Sequence, residues 1–283
     1  SYEALSGGTF AEAFSTLTGY PAQRVPLRSQ RQQPPAPPAE AGAEATAAHA
    51  RRLERWRAQQ PDSDVVLGQL FSYRASGFAV GASTYAFPGE EALAREMKEL
   101  GLQNPHAYCV LELETLRDEP CVKLRNPNGH AGWRGRWSRG SPEWTYELRA
   151  KYIDGEDDGV FWMSWSDFFR FFAEVTVCRI LKGTMEAREK GWLPSSFNAG
   201  GAVSLEVYAR TQVELALHQE PHRTRGVEAM QTFVDLGVAV LKDEGGGRFT
   251  LIEQGERAFN ASLALSASLE LDAHASRFLI VPL

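Results

Sequence analysis

The chain has 283 residues, of which 43% are hydrophobic and 23% are charged, and its formal net charge is -6 at pH 7. This length and composition are typical of a globular protein with room for two domains. The acidic balance argues against nucleic-acid binding, which usually needs a basic face, and no apolar run approaches the roughly 18 residues that span a bilayer.

The first 62 residues change character along their length. Residues 1–19 predict one or two short helical segments around a Gly-Gly break. They lack the basic region and the long apolar run of a signal peptide, and without an initiator Met they are expected to belong to a longer protein. Residues 27–62 contain a Pro/Gln/Ala-rich stretch, which predicts a flexible or polyproline connector.

A helix is predicted over about residues 40–60, and it carries the basic motif RRLERWR. The simpler interpretation is a solvated face. The alternative is a docking helix for an acidic partner with Trp56 as its anchor, because aromatic side chains dominate the binding energy of many interfaces.

The next part of the chain mixes helices and strands. DVVLGQLFSYRASGFAVGAST predicts a helix and then a buried strand. PGEEALAREMKELGL predicts a helix, because Pro opens it, acidic residues fill its first turn and Gly follows its end. A hairpin, a Trp/Gly-rich loop, the strand-to-helix segment GVFWMSWSDFFRFF and the strand VTVCRIL follow.

From about residue 183 the pattern is all β. Runs such as SLEVYARTQVELALHQ alternate apolar and polar residues between turn signals, which predicts an antiparallel sandwich. A boundary between an α+β unit and a β unit is therefore predicted near residues 181–185.

The stretch HAYCVLELETLRDEPCVKLRNPNG, residues 106–129, predicts a β-hairpin with RDEP as its turn. The start of one strand of a hairpin lies near the end of the other, so His106 and Asn126 are expected to lie close together. A papain-like site needs this pairing, since the imidazole holds the thiol proton and the amide orients the ring. On these residues alone the pair is weak evidence for catalysis, and a structural histidine is the better interpretation.

None of the three cysteines is placed to serve as the nucleophile. Side chains alternate between the faces of a strand, so Cys109 is expected to point away from His106. Cys121 lies five residues before Asn126 and also points away, unless a bulge intervenes. Cys178 lies on a later apolar strand. An odd number of cysteines without CxxC spacing predicts free thiols in a reducing compartment, and hence an intracellular, cytoplasmic protein.

Several stretches resemble the calpain family of papain-like cysteine peptidases, and most of all its small optic lobes branch. They include YEALSGG, HAYCVLEL, VKLRNPNGHAGWRGRWSRGSPEW, GVFWMSWSDFFRFF, VTVCRI and EAREKGWLPSS. The resemblance covers nearly the whole chain except the insertion at about 27–62, and its rare Trp/Gly patterns recur in order.

The resemblance implies an α+β fold, in which a papain-like second half with an antiparallel sheet and flanking helices precedes a calpain-type β-sandwich. Residues 1–19 would end the first half of the protease core, residues 20–182 would form the second half, and residues 183–283 would form the sandwich. The nucleophilic cysteine is then expected upstream, in the first half, within the same protein. The partner of the site would be a polypeptide substrate or another protein, and no cofactor is expected.

The resemblance also assigns residues to the site. His106 takes the position of the general base and acid, and Asn126 that of its orienting amide. Pro105 and Asn128 are expected to line the substrate cleft. The family usually has Trp where this sequence has Asn128, and that Trp shields the His–Asn hydrogen bond, so a polar side chain should leave the bond wetter and weaker.

Calcium-regulated members of the family place acidic residues at positions that this chain fills differently. Gly132, Arg139 and Val160 occupy three of them, and Asp158 is retained. One carboxylate and an arginine cannot supply the six to eight oxygen ligands that calcium takes. No metal site is therefore expected in this half.

Other candidates have simpler interpretations. HQEPH has His218 and His222 at i,i+4 spacing, but Pro221 breaks a helix, so a metal site is not expected there. Four tryptophans could line a cleft but more often pack a loop-rich core; they are Trp133, Trp137, Trp144 and Trp162. The aromatic stripe is predicted to be core; it consists of Phe168, Phe169, Phe171 and Phe172.

Two functions remain open from the sequence. The first is an intracellular calpain-like cysteine endopeptidase whose cysteine lies outside this chain, so that the chain alone would be inactive. The second is a degenerate, non-catalytic calpain-like module that serves as an interaction scaffold. The retained His106 and Asn126 favour the first, whereas Asn128, the lost acidic residues and the insertion favour the second.

Overall fold

The computed structural model describes most of the chain. The described residues are 8–28, 34, 36, 38, 42–86, 89–129, 132–153, 155, 159–191, 201–219, 235–255, 262–269 and 276–283. The predictions for residues 1–7, for most of the Pro-rich stretch, for Asp158 and for His222 lie outside them. Two compact units form, one of residues 24–177 and one of residues 1–23 with 178–283. The predicted boundaries of the family's domains stay predictions.

Except for one short helix, the helices occur where the local signals predict them. Those of the described residues are α1 Phe10–Thr18, α2 Ala43–Ala58, α3 Ser63–Ala75, α4 Glu91–Glu99, α5 Tyr146–Tyr152 and α6 Trp165–Phe171. Caps fix several of their starts: Thr9 and Glu12 form a capping box at α1, and the Ser164 hydroxyl accepts from the N–H of Asp167 at α6. These side chains satisfy backbone donors that the first helical turn leaves unpaired. No helix of the described residues is long and apolar enough to cross a membrane.

The first sheet has six strands in the order β1-β6-β2-β3-β4-β5. The strands are β1 Ala22–Pro26, β2 Ala79–Thr84, β3 His106–Leu116, β4 Glu119–Arg125, β5 Val160–Ser164 and β6 Glu174–Cys178. The pairs β2–β3, β3–β4 and β4–β5 are antiparallel. All five residues of β6 are buried, as expected for a strand with neighbours on both sides.

The predicted hairpin is confirmed, with its turn at Arg117 and Asp118. Both residues have positive φ, 48° and 65°, as a type I′ hairpin turn requires. The turn is thus the first half of RDEP, and Glu119 already belongs to β4.

The pairing of β3 with β4 shifts by one residue at Leu111. Leu116 lies opposite Glu119 and Glu112 opposite Lys123, but Val110 lies opposite Leu124. Leu111 is therefore the extra residue of a β-bulge, which reverses the alternation of faces along the strand. The guanidinium of Arg74 in α3 donates to the Leu111 carbonyl at 2.6 Å, which ties the bulge to the helix.

Two apolar clusters lie on opposite faces of the hairpin. The larger includes Tyr108, Val110, Val122 and Leu124 together with the aromatic side chains of α6. The smaller contains Leu116, Cys121, Trp137, Trp144 and Trp162. All four tryptophans at issue are buried, as are three phenylalanines of the stripe, with Phe169 partly buried against the larger cluster. Their predicted role in the core is confirmed.

The C-terminal part forms two antiparallel sheets. One has the order β10-β9-β12-β7 and the other pairs β11 with β8. The strands are β7 Val203–Val207, β8 Thr211–His218, β9 Val238–Asp243, β10 Phe249–Gln254, β11 Ser262–Leu269 and β12 Ser276–Pro282. Val240 and Phe278 of the four-stranded sheet share a core with Leu269 of the two-stranded sheet. Val213 and Leu215 of β8 pack against this core. The predicted α+β fold followed by a β-sandwich is confirmed.

Two short elements are missing from the sequence prediction. Strand β1 carries little apolar signal in AQRVP and lies at the edge of the sheet beside β6. Helix α5 has only seven residues, too few for clear periodicity. Its start is nevertheless capped by Thr145, whose hydroxyl accepts from the N–H of Leu148.

Truncation of Phe168 tests the core of the first unit. Its side chain is fully buried and stacks on Phe172 with 4.5 Å between ring centroids. We expect Phe168→Ala to lower the free energy of unfolding by about 3–5 kcal/mol, through lost burial and the cavity left behind. Urea denaturation measures it, with Tyr146→Ala as the control, because Tyr146 is 85% exposed. Equal effects of the two variants would contradict this packing.

Candidate active site

His106 and Asn126 are joined by a hydrogen bond of 2.8 Å between Nε2 and Oδ1. The orientation of the Asn126 amide follows from a second bond, since the backbone N–H of Asn128 donates to the same oxygen at 3.0 Å. An amide oxygen only accepts, so Nε2 of His106 carries the proton. The neutral ring then has a lone pair on Nδ1, the nitrogen that can act as a base.

The bulge at Leu111 puts both side chains on one face. Residues directly opposite one another in an antiparallel pair share a face. The register beyond the bulge, Cys109 opposite Arg125, extends to Tyr108 opposite Asn126, and Tyr108 shares its face with His106. If the same residues formed a regular ladder with no bulge, the register from the turn would place Asn126 opposite Cys109, and its side chain would point away from the imidazole.

Asn126 is held by the loop around it. The residue is 3% exposed, its N–H donates to the carbonyl of Gly159 at 2.9 Å, and its carbonyl accepts from Gly129 at 3.1 Å. Gly159 has φ +90°, and a Cβ there would lie 2.6 Å from the Asn126 carbonyl oxygen. Only glycine combines that backbone conformation with so close an approach.

His106 is fixed from its other side by β2 and by its own strand. Its N–H donates to the hydroxyl oxygen of Thr84 at 3.1 Å, and that hydroxyl donates to the carbonyl of Gln103 at 2.7 Å. The imidazole meets the ring of Tyr108 edge-on, with centroids 4.9 Å apart, a favourable aromatic geometry. Backbone and ring are thus both restrained.

Tyr108 is a fully buried neutral support for the ring. Burial raises the pKa of its phenol, and the backbone N–H of Gln103, which donates to the phenol oxygen at 2.9 Å, opposes this rise. The hydroxyl is therefore protonated throughout the neutral range. Tyr108 adds no charge beside the imidazole.

Pro105 and Asn128, the two residues predicted for the cleft, are both exposed next to the pair. Pro105 follows a cis peptide bond and borders an open depression of about 500 Å³, lined by residues 101–105 with Ala94 and Lys98. The side-chain amide of Asn128 donates to Oε1 of Gln103 at 2.9 Å. Their contact with a substrate stays a prediction.

The three cysteines are free thiols, and neither Cys109 nor Cys121 shares the face of His106. Cys109 lies one residue along the strand from Tyr108, on the other face. Cys121 belongs to the smaller apolar cluster. Burial is the main cause that raises the pKa of its thiol to about 12, and the negative charge of Glu119 adds to it. Burial also raises the pKa of Cys178, whose sulfur lies 3.4 Å from the Thr18 hydroxyl.

The positions compared with calcium-regulated relatives are described in part. Arg139 donates to the carbonyl of Gly155, so a guanidinium already binds the loop that precedes Gly159. Asp158 lies outside the described residues. Among the residues that the structure describes, no group of three His, Cys, Asp or Glu side chains could hold a metal ion. His218, which was considered as a metal ligand from its spacing to His222, lies at the end of β8.

A protein-family model described as calpain family cysteine protease matches residues 1–179. The chain belongs to the calpain family of cysteine proteases. This confirms the family resemblance, while the closeness to the small optic lobes branch stays a prediction.

Curated relatives agree with the family assignment. The calpain-type cysteine protease DEK1 of Zea mays is 27% identical over 270 residues, which cover 93% of this chain and 10% of that protein. Calpain-8 of Rattus norvegicus is 30% identical over 67% of this chain and 23% of its own length. Calpain-13 of Rattus norvegicus is 36% identical over 39% of this chain and 17% of its own length. The chain thus spans a quarter or less of these relatives.

Sequence reasoning placed the pair but missed its supports. Tyr108 could have been found from the hairpin pattern, because it lies two residues after His106 on the same face. Thr84 and Gly159 lie on other strands or loops, and no spacing in the sequence connects them to His106. The bulge at Leu111 coincides with a change of phase in the apolar pattern, from Tyr108 and Val110 to Leu111 and Leu113, and the prediction of the hairpin did not use it.

The reactivity of the thiols tests whether Cys121 is buried in the folded chain. At pH 8 we expect iodoacetamide to modify Cys121 of the folded chain roughly 10³-fold more slowly than an ordinary thiol, because the thiolate is the reactive form and a pKa of about 12 leaves little of it. Peptide mass spectrometry measures each rate, with the urea-unfolded chain as the control in which all three cysteines react. Rapid modification of Cys121 in the folded chain would contradict its burial.

Proposed function

We propose that this chain supplies the histidine-bearing half of a calpain-like cysteine endopeptidase. His106 is the general base and acid, Asn126 orients it, and the nucleophilic cysteine comes from another part of the same protein. The observation that carries the proposal is the 2.8 Å hydrogen bond between Nε2 of His106 and Oδ1 of Asn126. Membership of the calpain family supports it.

The geometry suits proton transfer at Nδ1. With Nε2–H bound to Asn126, Nδ1 takes the proton of the thiol, and the resulting imidazolium lowers the thiol pKa from its usual value of about 8.5. The thiolate attacks the scissile carbonyl, and His106 gives the proton to the leaving amine. Water, deprotonated by the same nitrogen, then cleaves the thioester and restores the thiol.

The wider setting follows from the same proposal. The substrate is a polypeptide that lies along the face bearing His106, with Pro105 and Asn128 at its border. Three free thiols favour a reducing, intracellular location such as the cytoplasm. Neither a nucleic-acid partner nor a cofactor is required by this chemistry.

A non-catalytic scaffold is the second candidate, and Asn128 is the observation that favours it. An exposed amide stands where the family usually has a tryptophan, so water is less well excluded from the His–Asn bond. In that case the fold is kept for contacts with other proteins.

An epoxysuccinyl probe on the full-length protein separates the two candidates. We expect one cysteine outside this chain to be labelled, and His106→Ala to slow the labelling roughly 10²–10⁴-fold, the usual contribution of a general base. His218→Ala is the matched control, since this histidine lies at the end of β8 in the sandwich. No labelling of the intact protein would favour the scaffold, and labelling that ignores His106 would contradict the proposed base.

We also propose that this half needs no calcium. Arg139 places a cation at the Gly155 loop, and a bound calcium would meet its charge. Calorimetric titration of the chain is expected to show no calcium binding at millimolar concentration, the range of the weakest protein sites. Magnesium is the control, and a calcium-specific rise of the unfolding temperature would contradict the proposal.

A further inference from the structure

Asn128 makes two hydrogen bonds that point in different directions. Its backbone N–H donates to Oδ1 of Asn126 at 3.0 Å, and its side-chain amide donates to Oε1 of Gln103 at 2.9 Å. The residue therefore connects the orienting amide to the segment that precedes His106.

Gln103 is anchored on the histidine side by its backbone. Its N–H donates to the phenol oxygen of Tyr108 at 2.9 Å, and its carbonyl accepts from Thr84 at 2.7 Å. Tyr108 touches the imidazole and Thr84 accepts from the N–H of His106. The side chain of Gln103 thus extends from a backbone that is fixed to the same two strands as His106.

The two side-chain bonds close a ring of residues. The chain runs from Gln103 to His106, crosses to Asn126 through the imidazole, continues to Asn128, and returns to Gln103 through the amide–amide bond. The bond between Asn128 and Gln103 therefore supports the bond between Asn126 and His106. The loop that carries Asn126 cannot move away from His106 while Asn128 stays bound to Gln103.

We propose that Gln103 and Asn128 form a positioning clasp for the His106–Asn126 pair. The clasp rests on the proposed role of that pair and extends it: a polar cross-connection fixes the tautomer and orientation of the imidazole at the position where the family usually has a tryptophan. Gln103 and Asn128 are positioning residues, since they act on the ring only through Asn126 and the backbone.

The tautomer of His106 reports on the clasp directly. Nitrogen NMR of the ¹⁵N-histidine-labelled chain, at a pH where the imidazole is neutral, gives the ratio of the Nε2–H to the Nδ1–H form, and His106→Gln identifies the signal. A net hydrogen bond changes an equilibrium about 2- to 10-fold. We expect Gln103→Leu and Asn128→Ala each to lower the tautomer ratio by about that factor.

Three further variants separate the clasp from general damage. The tautomer ratio of the double variant is expected to match that of the stronger single variant, because each substitution removes the same hydrogen bond. Gln103→Glu should restore the ratio, since a carboxylate also accepts from the Asn128 amide. Arg125→Ala is the matched control, an exposed side chain next to Asn126 that takes no part in the ring of residues.

The outcomes distinguish the clasp from the protease proposal. An unchanged tautomer ratio in both single variants, or effects that add fully in the double variant, would overturn the clasp. Changed ratios in this chain together with an unlabelled full-length protein would leave the clasp standing and overturn the peptidase.

Discussion

The hydrogen bond between His106 and Asn126 is the interaction that the surrounding contacts in the unit of residues 24–177 support. An imidazole can present a basic Nδ1 only if Nε2 keeps its proton, and a buried amide oxygen is what holds that proton in place. Every support described around the pair serves one of these two conditions. Thr84 and Tyr108 fix the ring, and Gly159 allows the loop to bring the amide within reach.

Local signals account for most of what could be predicted from the sequence. The hairpin was predictable because alternation and a short turn are properties of neighbouring residues, and α4 because its ends carry their own signals. The faces of Cys109 and Cys121 followed from the same alternation. The family resemblance then assigned His106 and Asn126, which spacing alone left as a weak pair.

What escaped prediction depends on contacts between distant segments. The Thr84 hydroxyl meets His106 because β2 pairs with β3, and the carbonyl of Gly159 meets Asn126 because β5 pairs with β4. The link from Asn128 to Gln103 also needs the register of the hairpin before it can be recognised. In the sequence Asn128 indicated only the loss of a tryptophan, whereas in the structure its amide has a definite partner.

The extra residue in β3 bears on how related chains should be compared. Matching a histidine and an asparagine in an alignment establishes the two residue types, but the number of residues between them, together with the presence of a bulge, decides whether they share a face. A relative that lacks one residue of β3 and forms a regular ladder keeps the two side chains on one face, whereas a relative with the same number of residues and no bulge would place its asparagine on the reverse side of the ribbon. An alignment gap inside the hairpin can therefore preserve the geometry of the pair, and an alignment without gaps does not by itself establish it.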